Sequence, residues 1–175
     1  MNNLSFHITD IMANSIRAKA SEIGLFIEER DLRITIRIAD NGLGMDAGTI
    51  ARVTNPFYTT RTTRKVGLGI PFLIQNAEQT GGAVSITSQP GKGTVVTASF
   101  CSNHIDCPPW GDLPGTVAML ITGNPDINIC FEYQAARTVF SISTSEIKEI
   151  LDGIPLSYPK VMRLVKEMIK ENIRP

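Results

Sequence analysis

The segment ITIRIADNGLGM, residues 34–45, decides how the first half of the chain is organised. Its first part alternates β-branched and polar residues, which predicts a β-strand with one buried face. The segment EIGLFIEE, residues 22–29, alternates in the same way, and the short polar stretch Arg30–Asp31 between the two predicts an antiparallel hairpin with a tight turn. The second strand ends at Asp40, and the two glycines that follow require a loop.

The loop DNGLGM, residues 40–45, has two interpretations. Gly42 and Gly44 permit positive φ angles and let the backbone approach a flat ligand closely. An unpaired carboxylate at Asp40 could then accept a hydrogen bond from the amino group of adenine. An ordinary turn at a strand exit uses the same residues, so the motif alone favours neither interpretation.

Upstream of the hairpin, the segment LSFHITDIMANSIRAKA, residues 4–20, predicts an amphipathic helix. Its apolar residues are spaced as on one buried helix face: Leu4, Ile8, Ile11, Met12 and Ile16. Asp10 and Asn14 lie four residues apart and therefore project from one side of the helix. An Asn amide oxygen can supply a ligand to Mg²⁺, and a carboxylate one turn away could act as a general base, but two solvated polar residues would show the same spacing.

Downstream of the loop, a short helix is predicted around Ile50–Val53, followed by the polar connector NPFYTTRTTRKVGLG, residues 55–69. A helix is predicted from about Ile70 to the pair Gly81–Gly82. The connector places four threonines and three cations before a Gly-x-Gly that opens this helix, where free backbone amides attract anions. This arrangement predicts a lid that faces phosphates, and the absence of GxxxxGK[ST] argues against a Walker-type loop. Two strands then follow, AVSITS (residues 83–88) and TVVTASF (residues 94–100), separated by QPGKG.

The composition narrows the class of protein. Lys and Arg together number 17 and so do Asp and Glu, so we expect no binding of nucleic acid through long-range charge. The apolar stretches are far shorter than the roughly 20 residues that span a bilayer, and the first residues lack a signal pattern. We therefore expect a cytoplasmic protein with no membrane association. The odd number of cysteines, three, favours reduced structural thiols over a metal site.

The segments in this order resemble the GHKL ATPases, the family that includes gyrase, MutL, histidine kinases and anti-sigma-factor kinases. DIMANS, DNGLGM, NPFYTTR, VGLGI and GKGT are similar to the N box, two glycine boxes and closing strand of that family, over about residues 4–100. The resemblance implies an α+β fold of the Bergerat type, a two-layer α/β sandwich with helices over one face of a mixed sheet. It also implies ATP and Mg²⁺ as cofactors.

The resemblance implies a role for individual residues. Asn14 would coordinate Mg²⁺, and Asp40 would bind the adenine amino group, with Thr94 beside the base. Asp10 lies where gyrase and MutL relatives carry a glutamate base, and it is one methylene shorter. Lys65 lies where kinases often have the first glycine of their second box. The remaining implied nucleotide-binding residues are Gly42, Gly44 and Met45 around the base, and Thr59, Thr60, Arg61, Lys65, Gly67, Leu68 and Gly69 around the phosphates.

The residues after the ATP-binding segment are predicted to form an additional small unit. We place a boundary near Ser102, which divides the chain into an ATP-binding domain over residues 1–102 and a small α+β extension over residues 103–175. In the extension, Asp112 could cap a helix, although a strand is the alternative there. INICFEY and TVFSIS predict a hairpin, Ser143 and Glu146 have capping-box spacing, and residues 159–172 predict an amphipathic helix.

Three uses of ATP are compatible with the sequence. Histidine kinases carry their phosphorylated histidine upstream of the nucleotide domain, and only nine residues precede Asp10 here, so we expect His7 to be a packing or capping residue. The first hypothesis is a stand-alone protein kinase, similar to the anti-sigma-factor kinases or to a split histidine kinase, that phosphorylates a protein partner in trans. The alternatives are a slow ATPase that switches a protein interaction and a nucleotide-binding module without chemistry. A homodimer is compatible with each of these uses.

Overall fold

The computed structural model describes residues 3–55, 57 and 69–173. Helices and strands follow one another along the chain as α1 (Leu4–Arg17), β1 (Glu22–Arg30), β2 (Arg33–Asp40), α2 (Ala47–Thr54), α3 (Gly69–Gln79), β3 (Ala83–Gln89), β4 (Gly93–Cys101), α4 (Leu113–Gly123), β5 (Asn128–Ala135), β6 (Thr138–Ser143), α5 (Thr144–Leu151) and α6 (Pro159–Asn172). The predicted short helix at residues 50–53 is longer, because Asp46 caps it and accepts a 2.6 Å hydrogen bond from the Thr49 amide. The segment after Asp112 is a helix and not a strand, and the Asp112 carboxylate accepts a 3.0 Å bond from the Gly115 amide.

All six strands belong to one sheet with the order β3-β4-β2-β1-β5-β6. The pairing of β1 with β5 is parallel, and every other neighbouring pair is antiparallel. The β1–β2 turn consists of Asp31 and Leu32, both with positive φ (51° and 58°), one residue later than the sequence predicts. A two-residue hairpin turn with positive φ at both residues matches the twist of the two strands. The turn therefore forms at these two positions although neither residue is glycine.

One face of the sheet carries the apolar core. Alternate residues of the central strands are buried, as the period-two patterns of β1 and β2 predict: Ile23, Leu25, Ile27, Ile34, Ile36 and Ile38. The buried stripe of α1 consists of Leu4, Ile8, Ile11 and Met12 and belongs to the same apolar cluster. Helices α1, α3 and α4 contact strands of the sheet, while α6 contacts α4. This confirms the predicted α+β sandwich.

The residues beyond 102 share this sheet and its core. Strand β5 pairs with β1 over eight residues, and α4 contacts α1. The amides of Leu4 and Ser5, at the start of α1, donate to the carbonyl oxygens of Pro109 and Trp110 at 2.9 and 3.0 Å. The sheet is therefore continuous across the proposed boundary near Ser102, and the division into two domains stays a prediction.

Within the part of the chain that the structure describes, no helix combines the length and apolar character needed to cross a membrane.

Candidate functional site

A cavity of about 550 Å³ opens beside the first helix. Its walls come from α1, the end of β2 and the loop after it, α2, the start of α3 and the start of β4: Asp10, Ile11, Ala13, Asn14, Ser15, Arg17, Ala18, Ile38, Asp40, Gly44, Met45, Thr49, Arg52, Val53, Gly69, Ile70, Thr94 and Val96. This volume lies within the range of pockets for small molecules and cofactors. The cavity therefore brings together predicted residues from four separate segments of the sequence.

Asp40 lies at the end of β2 with its carboxylate held by three donors. The Ser15 hydroxyl donates to Oδ2 at 2.6 Å, and the amides of Gly42 and Thr94 donate to Oδ1 at 2.9 and 3.3 Å. An ionised carboxylate offers about four acceptor positions, so three donors leave capacity for one more. The strand register places Thr94 directly opposite Asp40, which explains why the last residue of β2 and the start of β4 meet in the cavity.

Gly42 and Gly44 are required by contacts within the protein. A Cβ on Gly42 would lie 2.7 Å from the carbonyl oxygen of Ala18, and Gly42 is buried and does not line the cavity. Gly44 lines the cavity and has φ +68°, and its added Cβ would lie 1.9 Å from the carbonyl oxygen of Gln89. These glycines therefore allow two segments of the protein backbone to approach each other closely, whereas the sequence suggests an approach to a flat ligand.

Hydrogen bonds attach the loop to elements on both sides of it. The Asn41 side-chain oxygen accepts from the amides of Ser21 and Glu22 at 2.9 and 3.0 Å, and the Met45 amide donates to the Ser88 hydroxyl at 2.8 Å. The Ser88 hydroxyl in turn lies 2.9 Å from that of Thr94. The wall formed by Gly44, Met45 and Thr94 is thus pre-formed by protein contacts.

Asp10, Asn14 and Arg17 form the wall contributed by α1. Burial raises the pKa of the Asp10 carboxyl above its ordinary value, and the charge of Arg17 opposes this shift. The Asn14 side-chain oxygen accepts a hydrogen bond from the Arg17 guanidinium. Gly69, the first residue of α3, lies close to Asp10, because a Cβ added there would be 2.9 Å from Asp10 Oδ2. This wall presents an amide oxygen, a carboxylate and a cation to the cavity.

The predicted phosphate segment is described only at its end. Gly69 lines the cavity, whereas Thr59, Thr60, Arg61, Lys65, Gly67 and Leu68 lie outside the described residues.

Sequence reasoning missed three polar residues of the site. Ser15 holds Asp40 and is 3% exposed, Ser88 supports Met45 and Thr94, and Arg17 contacts Asn14. The signal for Ser15 is its position four residues after Ile11, which places a hydroxyl on the buried stripe of α1. The signal for Ser88 is its alignment with Thr94 across the β3–β4 hairpin, which requires the strand register.

The residues that line the cavity lie within a segment of the chain that is similar to known proteins. Residues 3–103 match the family described as histidine kinase-, DNA gyrase B-, and HSP90-like ATPase. The chain is 35% identical over 93 residues to sensor protein kinase FleS of Pseudomonas aeruginosa, a match that covers 51% of this chain and 23% of that protein. It is 29% identical over 106 residues to sensor histidine kinase YxdK of Bacillus subtilis, covering 55% of this chain and 32% of that protein. The chain thus spans a third or less of the length of these relatives.

One solved structure shows that the fold likeness extends further than the family match. The crystal structure of the N-terminal domain of a DNA repair protein has a TM-score of 0.60 and covers 82% of this chain and 52% of that chain, at 17% identity. The family match accounts for 101 of the 175 residues. The structural likeness therefore includes part of the segment beyond residue 103.

Proposed function

Because the chain belongs to the family of histidine kinase-, DNA gyrase B- and HSP90-like ATPases, we propose that it binds ATP with Mg²⁺ in the cavity and transfers the terminal phosphoryl group to another protein. The observation that carries the proposal is the Asp40 carboxylate, which lines the cavity with three donors bound and one acceptor position to spare.

The base end of the proposed ATP site is the region around Asp40. Its carboxylate accepts a hydrogen bond from the adenine amino group, and the apolar side chains of Ile38 and Val96 face the same cavity. Guanine carries a carbonyl oxygen where adenine carries the amino group, and two acceptors facing each other are unfavourable. This difference supports selectivity for ATP over GTP.

The phosphate end is the region around Asn14 and Gly69. Asn14 would hold Mg²⁺ through its side-chain oxygen, in place of the hydrogen bond that this oxygen accepts from Arg17. Mg²⁺ when bound would neutralise charge on the phosphates. Arg17 supplies a cation at this end, and Gly69 begins a helix whose free amides favour anions. We also assign phosphate binding to residues that lie outside the described ranges: Thr59, Thr60, Arg61, Lys65, Gly67 and Leu68.

Neither histidine of the described residues is placed to receive a phosphoryl group from the cavity. His7 is 3% exposed within the core, so its ring is not accessible to a phosphate donor in this fold. His104 is exposed in the segment after β4, where its Nδ1 accepts a 3.1 Å hydrogen bond from the Asp106 amide, and it is not among the residues that line the cavity. The relatives FleS and YxdK are named as kinases, which supports the same reaction class.

Hydrolysis of ATP is the second candidate reaction, and the position of Asp10 favours it. A carboxylate whose pKa burial raises is a better proton acceptor at neutral pH than an ordinary aspartate, provided that it stays ionised. Asp10 lines the cavity next to Gly69, at the proposed phosphate end. In this reaction, Asp10 would take a proton from the attacking water, and the closing of the lid would change a protein interaction.

The first test is calorimetric titration of the purified protein with ATP, ADP and GTP, with and without Mg²⁺. We expect saturable, Mg²⁺-dependent binding of ATP and little binding of GTP. Asn14→Ala should weaken binding in Mg²⁺ far more than binding without metal. Equal losses under both conditions would exclude Asn14 as the metal ligand, and no binding of ATP by the wild-type protein would overturn the proposal.

The second test separates the two reactions. The protein is incubated with γ-³²P-ATP and a fractionated extract of its host, and both labelled protein and free phosphate are measured. Label on another protein, lost when Asp40→Asn replaces the wild type, supports the kinase. Free phosphate without a labelled protein, abolished in Asp10→Asn, selects hydrolysis.

A further inference from the structure

A polar pair lies in the apolar contact between α1 and α3. His7 and Asn76 are 3% and 6% exposed, and the Asn76 side-chain nitrogen lies 2.8 Å from Nε2 of His7. Among the described residues, this is the one hydrogen bond between the side chains of these two helices. Asn76 donates to Nε2 in this arrangement, which places the imidazole proton on Nδ1.

Burying this polar pair costs more free energy than burying an apolar contact of the same size would. Nδ1 of His7 is buried without a hydrogen-bond partner, and burial lowers the pKa of the ring, so that His7 is neutral near pH 7. Buried apolar residues lie near the pair on both helices, among them Ile8 and Ile11 on α1 and Leu73 and Ala77 on α3. Apolar side chains of similar size would avoid the desolvation of both polar groups. A hydrogen bond differs from apolar packing because it has a direction, and it therefore restricts how two helices rotate and slide against each other.

The position of the pair connects it to the proposed reaction site. His7 lies three residues before Asp10, on the same side of α1. Asn76 lies seven residues after Gly69, which is two turns along α3. Asp10 and Gly69 are themselves close, because a Cβ on Gly69 would lie 2.9 Å from Asp10 Oδ2. The same two helices thus meet twice, once in the cavity and once at the buried pair.

We propose that His7 and Asn76 are positioning residues, whose hydrogen bond sets the orientation of α3 against α1 and so places the start of α3 relative to Asp10. This inference rests on the proposed function, because it assigns the pair to the reaction at the phosphate end. A change in the angle between the helices moves Gly69 away from Asp10 while it leaves the base end at Asp40 unchanged. The pair therefore affects turnover more than ATP affinity.

The test replaces both partners at once. His7→Leu/Asn76→Leu removes the hydrogen bond without leaving one partner unpaired, so that the fold is retained. We expect turnover of ATP, measured as phosphate transferred or released, to fall about 10-fold, with the KM for ATP within about twofold of the wild type. His7→Gln keeps a polar group that can bond to Asn76, and we expect it to retain most of the turnover. Gln75→Leu, a change from polar to apolar on the exposed side of α3, is the matched control and should leave turnover unchanged.

A second measurement requires no nucleotide. Residual dipolar couplings of the amides in α1 and α3 report the relative orientation of the two helices, and they should change in His7→Leu/Asn76→Leu but not in His7→Gln or Gln75→Leu. Unchanged couplings in the double variant overturn the inference, as does wild-type turnover in that variant. If the wild-type protein turns over no ATP, the proposed reaction fails, and a changed orientation in the double variant would still support the positioning contact.

Discussion

In the proposed ATP site, recognition of the base depends on Asp40. Its side chain keeps one acceptor position after the bonds from Ser15, Gly42 and Thr94. Asp40→Asn retains an oxygen for the two backbone amides, but its amide nitrogen cannot accept from adenine. We expect ATP affinity to fall about 10- to 100-fold, which corresponds to a charge-assisted hydrogen bond of about 1.5–3 kcal/mol, with the fold retained.

Calorimetry with ATP and with GTP measures this change, and Asp126→Asn on the exposed α4–β5 connection is the matched control. ATP affinity equal to that of the wild type would exclude Asp40 as the adenine ligand.

Asp10 is expected to make stability depend on pH. Its folded-state pKa lies above the ordinary value of 3.8, with burial as the largest cause, so the folded protein binds more protons than the unfolded chain between these two pKa values. Stability is therefore lost as the pH rises through that window, and the loss is complete above the folded-state pKa. Asp10→Asn removes this partly buried charge. The variant should gain in Tm over the wild type at pH 7 and lose most of this gain below pH about 3.8.

Thermal unfolding of the two proteins over a pH series tests the assignment. A difference in Tm that is the same at every pH would show that the charge of Asp10 is not the cause.

Among the elements, the loop after β2 depends most on a single position. Gly44 has φ +68°, and an added Cβ would lie 1.9 Å from the backbone oxygen of Gln89, which cannot move without shifting the β3–β4 turn. Gly91 has a similar φ of +77°, but an added Cβ there meets nothing within 4 Å. Gly91→Ala should therefore cost only the left-handed conformation, about 1–2 kcal/mol of the free energy of unfolding.

Gly44→Ala should cost more, about 3 kcal/mol or above, and should also weaken ATP binding because the loop lines the cavity. Urea denaturation of both variants gives the comparison. Equal losses of stability at the two positions would show that the contact with Gln89 relaxes freely.

The elements also show what local sequence patterns can predict. The helix α1 and the strands β1 and β2 could be predicted from the spacing of their apolar residues. Burial of one face repeats every 3.6 residues in a helix and every two residues in a strand. The turn at Asp31–Leu32 could not be placed from propensity, because a leucine with φ 58° contradicts its own preference and the strand twist decides it.

Across the molecule as a whole, the segment beyond residue 102 supports the helix that carries Asp10 and Asn14. Pro109 and Trp110 accept hydrogen bonds from the first turn of α1, and β5 pairs with β1. The Tyr133 hydroxyl on β5 donates to Glu29 on β1 at 2.7 Å, and burial raises the pKa of that hydroxyl. The last 73 of the 175 residues, 103–175, are thus expected to be necessary for the nucleotide site.

A chain limited to residues 1–102 should fail to unfold cooperatively, because β1 loses its neighbour β5 and apolar residues of the core lose their cover. Tyr133→Phe is the milder test of the same contact and should lower the free energy of unfolding by about 1–2 kcal/mol. Circular dichroism during urea denaturation measures both. A cooperative transition in the short chain would support residues 1–102 as an independent domain.

The linear order of residues was enough to predict the type of most elements and to mark Asp10, Asn14 and Asp40, which line the cavity, as candidates. Periodicity, turn residues and caps act over a few positions, so they can be read in the chain, and the motifs around Asp10, Asn14 and Asp40 indicate their chemistry in the same way. Folding alone established which distant groups meet. Ser15 with Asp40, His7 with Asn76 and β5 with β1 join positions 25, 69 and about 106 residues apart. These partners are decided by how the chain packs into one core, because buried hydrogen-bonding groups must find partners there. A local sequence pattern does not contain this information.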